Sequence, residues 1–219
     1  MSGQTNKNII RIIWKIVRKC GLGGLVITFY PKSALVQNGW FKSFRRGMPI
    51  DAAGNPIPWL PYSMIDFLDE RLNKDLTLFE YGCGCSSIWY CSKVKQVTSV
   101  ENNHEWADKV EKMLPANGRV IFKENQDDFV RAIDEAGKVD VIVVDGIMAR
   151  AECYKYAASF LTEHGIIIAD DSERDDFRSS WQSLKKQGFK KITFTGITPS
   201  HFIKSQTSVL YRPNNCLGI

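Results

Sequence analysis

Acidic residues are missing from the start of this chain. Residues 1 to 46 contain nine Lys or Arg and no Asp or Glu, leaving 20 of the 29 basic residues and all 24 acidic ones in the rest. A basic leading piece on a mildly acidic body points to an anionic surface, membrane or nucleic acid, or to docking of that piece on the body. Long uncharged apolar runs are missing too. Residues 9 to 30 are interrupted by Arg11, Lys15, Arg18 and Lys19, which argues against a membrane span. The same stretch is broken by Gly21, Gly23 and Gly24 and no A-x-A-like site follows, against a secretory signal. The six cysteines, Cys20, Cys83, Cys85, Cys91, Cys153 and Cys216, lack the regular spacing of a disulfide framework and the C-x-x-C pairs of a zinc site. Reduced thiols and a cytoplasmic setting are expected, with a peripheral place at the inner face of the membrane as an extension of that reading. Histidine is scarce, and His104, His164 and His201 have no legible triad partners.

What is present suits one α/β domain with an appendage: 219 residues, 44% hydrophobic and 11% aromatic, enough for a large core. Residues 8 to 19 place Arg11, Lys15, Arg18 and Lys19 on one helical face and Ile9, Ile10, Ile12, Ile13, Trp14, Ile16 and Val17 over the remainder, a basic amphipathic helix. Such a helix lies in a membrane interface, or covers the domain or a partner subunit in a homo-oligomer. Residues 31 to 62, with Gly39, Gly47, Gly54, Pro49, Pro56, Pro58 and Pro61, read as an irregular lead-in. The division expected is a basic extension over 1–57 and a catalytic domain over 58–219.

From Ser63 helical stripes alternate with short apolar strands. Strands are predicted at Leu76 to Tyr81, Val97 to Glu101, Arg119 to Phe122, Val139 to Asp145 and Ile166 to Asp170, then near Lys191 to Phe194 and Ser208 to Arg212. Helices fall between them, one carrying Tyr154, Ala157, Ala158 and Leu161. That alternation means crossover units around a parallel sheet, with the last pair able to form an antiparallel hairpin at one edge.

Chemistry concentrates where strands end. Glu80-Tyr81-Gly82-Cys83-Gly84-Cys85-Ser86-Ser87 joins a strand to a helix, and its glycines permit a tight turn with backbone close to a ligand. Glu101 ends the next strand, where a carboxylate accepts hydrogen bonds from both ribose hydroxyls of a nucleoside. Dinucleotides and S-adenosylmethionine (SAM) both use that geometry, and charge separates them. A carboxylate such as Glu80 beside the loop repels a pyrophosphate, whereas SAM offers it an ammonium and a sulfonium. Ser87 also replaces the third glycine of the dinucleotide fingerprint.

In these motifs the sequence resembles the class I SAM-dependent methyltransferases, from roughly Pro58 to the C-terminus. The matching pieces are FEYGCGCSS, SVEN, DVIVVDG and GIIIADD, in that order. PWLPY ahead of them and the tail NNCLGI are similar to a group of uncharacterised bacterial methyltransferases. The resemblance implies a Rossmann-like, mostly parallel seven-stranded sheet with helices on both faces and its last strand antiparallel, preceded here by a helical extension. It implies a SAM site over the first strand ends. Glu80, Gly82, Cys83 and Gly84 would border the methionine part and Glu101 the ribose, with Tyr81, Ser86, Ser87 and Asn102 as further cofactor-binding candidates. Asn125, Gln126 and Asp127 would meet the adenine, although ENQDD stands here where many relatives have G-D-A.

Asp145 and Gly146 end the strongest strand at the edge where open α/β sheets bind ligands, and are expected to face the transferred methyl. Asp170 and Asp171 end the next strand. With Asp145 they are the candidate ligands of Mg²⁺ or Mn²⁺, as in metal-dependent O-methyltransferases; otherwise they cap helices or pair with Arg150, Arg174 and Arg178. His201, in the final loop TGITPSHF, is the remaining catalytic candidate, and Trp59 and Tyr62 are candidates to cover the site. The leading expectation is methyl transfer from SAM to an oxygen or nitrogen of a small molecule or saccharide intermediate. The alternatives are an NAD(P)-binding oxidoreductase, a nucleic-acid methyltransferase that uses the basic start with Trp14, Trp40, Phe41 and Phe44, and a peripheral membrane or scaffold protein without activity.

Overall fold

The computed structural model describes residues 2–219, with side chains from Arg11 onward. Helix α1 (Ser2–Lys19) is followed by the short helices α2 (Gly23–Thr28), α3 (Ala34–Gln37) and α4 (Trp40–Arg46). Then come α5 (Tyr62–Asp69), β1 (Thr77–Tyr81), α6 (Cys85–Lys93), β2 (Gln96–Glu101), α7 (His104–Glu111), β3 (Gly118–Phe122) and α8 (Gln126–Arg131). The chain closes with β4 (Val139–Val144), α9 (Arg150–Ala157), β5 (Leu161–Ala169), α10 (Asp175–Lys186), β6 (Lys190–Ile197) and β7 (Lys204–Tyr211).

The strands form one sheet in the order β3-β2-β1-β4-β5-β7-β6. The pairs β1–β2, β1–β4, β2–β3 and β4–β5 are parallel, while β7 runs antiparallel to both β5 and β6. The predicted hairpin is therefore present, with β7 inserted inside the edge strand β6. Strands buried on both faces need apolar residues throughout, and Val141, Ile142, Val143 and Val144 of β4 and Ile166, Ile167 and Ile168 of β5 are at most 1% exposed. One core layer packs Phe79, Tyr81, Ile142 and Ile167 against Phe129, Tyr154 and Phe177. The opposite layer joins Leu78, Val143 and Ile168 to Trp89, Tyr90 and the leading residues Ile57, Leu60 and Met64.

Two stretches differ from the sequence expectation. The lead-in carries helices: Ser33 caps α3 by accepting from the Val36 amide, and left-handed Gly39 and Gly47 bound α4 at either end. Glycine there terminates helices instead of excluding them. Strand β5 starts at Leu161, five residues before Ile166, because Leu161 pairs with Val139 and the Thr162 hydroxyl donates to Asp140.

Candidate active site

The strand register brings the predicted site residues level. Tyr81 lies opposite Val100 and Val144, and Val144 opposite Ala169, so the next residues, Gly82, Glu101, Asp145 and Asp170, line one edge of the sheet. The order reverses between β1 and β4, and a crevice opens at the carboxyl ends of strands at such a point. Gly82, at φ 99°, forms its wall: a Cβ there would lie 3.1 Å from the Gly146 nitrogen. Gly146 is as tightly placed, since its own Cβ would lie 3.0 Å from the Phe129 ring. The Gly82 amide donates to Val100, and the Asp145 and Gly146 amides donate to the Tyr81 carbonyl. Gly84 differs, because its φ of 168° is extended and the nearest atom to an added Cβ is Trp106 Cζ2 at 3.9 Å. Packing inside the chain does not demand glycine at 84, which fits a cradle kept clear for a ligand.

Glu80 faces inward. It is 1% exposed, and Ser86, Ser87 and Ser99 donate hydroxyl hydrogen bonds to its carboxylate at 2.5, 2.5 and 3.0 Å. The Gly84 amide donates to the Ser87 hydroxyl at 3.1 Å, so Glu80 holds the glycine loop through Ser86 and Ser87. Burial pushes its pKa up to about 7, against the pull of these hydroxyls. The expectation that Glu80, Ser86 and Ser87 border the cofactor is corrected for their side chains, which are turned to one another. Tyr81 is corrected likewise: its ring is fully buried and its hydroxyl donates to the Val130 carbonyl at 2.8 Å.

The ribose candidate stays at the surface of the crevice. Glu101 Oε1 accepts the amides of Asn102 and Asn103 at 2.9 Å each, which fixes the carboxylate at the start of α7. The Cys83 thiol lies against Glu101, and burial together with that carboxylate raises its pKa, so Cys83 stays a neutral thiol. Trp106 is not among the site candidates of the sequence. Its indole donates to the Cys83 carbonyl at 2.8 Å and its ring is 41% exposed beside the loop. Asn125 caps α8, accepting from the Asp128 amide, and Gln126 and Asp127 follow it, exposed, at the same edge of the sheet.

The carboxylate rim has its cation already. Arg150, 6% exposed, donates to the carbonyls of Gly146, Asp170 and Asp145 at 2.7, 2.8 and 2.8 Å. Its guanidinium lies 3.6 Å from the Asp145 carboxylate and 3.3 Å from that of Asp171. Asp170 turns inward to accept from the Thr207 hydroxyl at 2.6 Å. Burial and the neighbouring Asp145 raise the pKa of Asp170 far above the carboxylate range, and burial raises Asp145 less because Arg150 opposes it. Among the described residues no group of three or more His, Cys, Asp or Glu side chains is disposed to hold a metal ion. The Mg²⁺ or Mn²⁺ site expected from Asp145, Asp170 and Asp171 is corrected to an arginine-centred cluster. Arg174 also pairs with Asp171, at 3.5 Å, whereas Arg178 pairs with Asp175.

His201 lies in the β6–β7 connection, which flanks the same edge because β6 runs parallel to β1. Its ring stacks on Trp59 at 5.0 Å and its carbonyl accepts from the buried Trp40 indole at 3.1 Å. The Trp59 indole donates to the Pro199 carbonyl at 2.6 Å. Trp59 thus holds this loop. Tyr62, the other candidate cover, starts α5 and packs against the core, and burial raises its pKa. No hydrogen bond among the described residues joins His201 to the aspartates.

No protein-family model matches the chain, and no curated protein sequence matches it. Among solved structures, an rRNA methylase from Streptococcus thermophilus is similar over 69% of this chain and 96% of its own, at 16% identity and TM-score 0.55. Precorrin 8W decarboxylase from Methanobacterium thermoautotrophicum is similar over 68% and 87%, at 17% identity and TM-score 0.52. A methyltransferase of Streptococcus mutans in complex with S-adenosylhomocysteine (SAH) is similar over 71% and 99%, at 12% identity and TM-score 0.50. The fold is that of the class I SAM-dependent methyltransferases. Within the class I methyltransferase fold, the glycine loop after β1 and the carboxylate ending β2 stand at the sheet's crevice.

Proposed function

We propose that the chain transfers a methyl group from SAM to an oxygen or nitrogen of a small molecule or saccharide intermediate. The observation that carries this is the level edge formed by the Gly82–Gly84 turn, Glu101 and Asp145 at the reversal point of the sheet. Charge favours SAM over a dinucleotide: the Glu101 carboxylate stands beside the turn, where a pyrophosphate would be repelled and an ammonium or sulfonium attracted. The Gly82–Gly84 backbone would hold the methionine part, Glu101 and Asn102 the ribose, and Asn125 to Asp127 the adenine side. When bound, SAM supplies a methyl carried on a sulfonium and open to in-line displacement.

The chain's own work is alignment and proton handling, and alignment supplies most of the rate in such a transfer. Asp145 is the candidate base. Arg150 holds its backbone carbonyl and lies 3.6 Å from its carboxylate, so the group is oriented before an acceptor arrives. His201, beside the same edge, is the second candidate. Calorimetry with SAM and SAH tests the cofactor, with NAD as control. Glu101→Ala should weaken both ligands by about 1.5–3 kcal/mol through loss of charged hydrogen bonds. Asp145→Asn should bind SAM normally and lose turnover once an acceptor is identified. NAD binding in place of SAM, or full SAM affinity in Glu101→Ala, would overturn the assignment.

A further inference from the structure

The helices ahead of the catalytic fold present an apolar surface to water. Ile12, Ile13 and Ile16 of α1 are 58, 55 and 58% exposed, and Leu22, Leu25, Val26 and Ile27 in and beside α2 are about as open. Between the two helices runs a groove of about 480 Å³ walled by Trp14, Arg18 and Ile27 and floored by glycines. The surface does not stop at α2. Phe29 stacks on Phe41 at 4.8 Å, Phe41 meets Trp40 edge-on, and Trp40 contacts Phe44 and Phe202 at 5.3 and 4.1 Å. Phe44 and Phe202 end this chain of rings and are exposed, as is the adjoining Ile203 at 73%. Apolar area of this extent is rarely left to water, and marks an interaction site.

Charge says what covers it. Arg11, Lys15, Arg18, Lys19, Lys32, Lys42, Arg45 and Arg46 stand exposed around the apolar side chains. None of them enters an ion pair among the described residues, and no acidic residue occurs before Asp51. We propose that α1, α2 and the exposed Phe29, Phe44, Phe202 and Ile203 form a docking surface for an anionic lipid bilayer, with the isoleucines and leucines among the acyl chains and the lysines and arginines at the headgroups. No helix of the described residues is long and apolar enough to cross a membrane, so the helices lie in the interface. Basic clusters of this size are drawn to acidic leaflets. A protein partner fits less well, because charged residues are depleted from the core of protein interfaces and eight basic ones surround this surface. Single-stranded nucleic acid stacks on aromatic rings, whereas α1 and α2 expose mainly aliphatic side chains. Docking brings the His201 loop, and with it the carboxyl edge of the sheet, to the lipid.

Co-sedimentation of the full chain with vesicles tests this without any methyl donor, so its result is independent of the catalytic reading. Binding should be strong to phosphatidylcholine vesicles containing phosphatidylglycerol, weak to phosphatidylcholine alone, and reduced by salt. Lys15→Glu with Arg18→Glu should weaken binding to the acidic vesicles at least about tenfold. Ile16→Ser with Leu25→Ser should weaken it comparably while melting like the wild type, since both positions are exposed. Failure of the wild-type chain to sediment with acidic vesicles, or wild-type binding by both double variants, overturns the proposal. A dimer abolished by Ile16→Ser, or an RNA complex, in a protein that ignores vesicles assigns the surface to those partners instead.

Discussion

Glu80 is a carboxylate enclosed by three serine hydroxyls, and its protonation is tied to folding. Its pKa of about 7 stands above the ordinary 4.5, so the native chain keeps a proton that the unfolded chain releases. The stabilisation from this group is complete below pH 4.5, shrinks as pH rises, and is gone above about pH 7. Glu80→Gln keeps the shape and removes the titration. Between pH 4.5 and 7 wild type should therefore lose roughly 3 kcal/mol relative to the variant, read from urea unfolding at a series of pH values; parallel curves would deny the buried titration. Arg150 is the complementary case. Its guanidinium donates to three carbonyls and lies beside two carboxylates, so Arg150→Met leaves Asp145 without its cation, Asp171 with Arg174 alone, and three carbonyls without this donor. Removing one partner of such a buried cluster costs about 3–5 kcal/mol, and urea unfolding at neutral pH should show a loss of that size. A change under about 1 kcal/mol would mean that solvent already satisfies the rim.

At the scale of elements, α4 and the β6–β7 connection behave as one piece because Trp40 is buried between them. Trp40→Leu should cost about 2–4 kcal/mol, from the cavity and from the unpaired His201 carbonyl, and should expose residues 198–203 to limited proteolysis. Resistance equal to wild type would mean that Trp59 alone holds the loop. The five parallel strands were legible in sequence because strands buried on both faces are apolar runs bounded by turns. The helices of the lead-in were not, because Gly39 and Gly47 punctuate a helix from outside and look the same as glycines that prevent one. Glu80's direction was legible and was missed: alternation along β1 sends Phe79 and Tyr81 to one face and Leu78 and Glu80 to the other, which is the face where α6 brings Ser87. Arg150 was visible as one possible partner of the aspartates, but its central position depends on the left-handed turn at Ala149, φ 52°. An alanine in that conformation leaves no mark in a sequence.

At the scale of the whole molecule, α1 meets the rest of the chain mainly through α2. α1 packs on α2 and leaves Ile12, Ile13 and Ile16 open, whereas Trp40, Ile50, Ile57 and Leu60, farther along, are buried. The structural dependence of the core on the preceding chain therefore begins near residue 39. Removing residues 1 to 20 takes away α1 and its basic face, and loses little buried apolar area. A change of 1 kcal/mol moves the melting temperature of a domain this size by about 2–4 °C, so the shortened chain should melt within about 2 °C of the full one. Its SAM affinity should be unchanged, since Gly82, Glu101 and Asp145 are held by strands and by Arg150 rather than by α1. A fall of more than about 5 °C would show instead that α1 covers part of the core, and the exposed isoleucines would then be a face that closes on the protein itself.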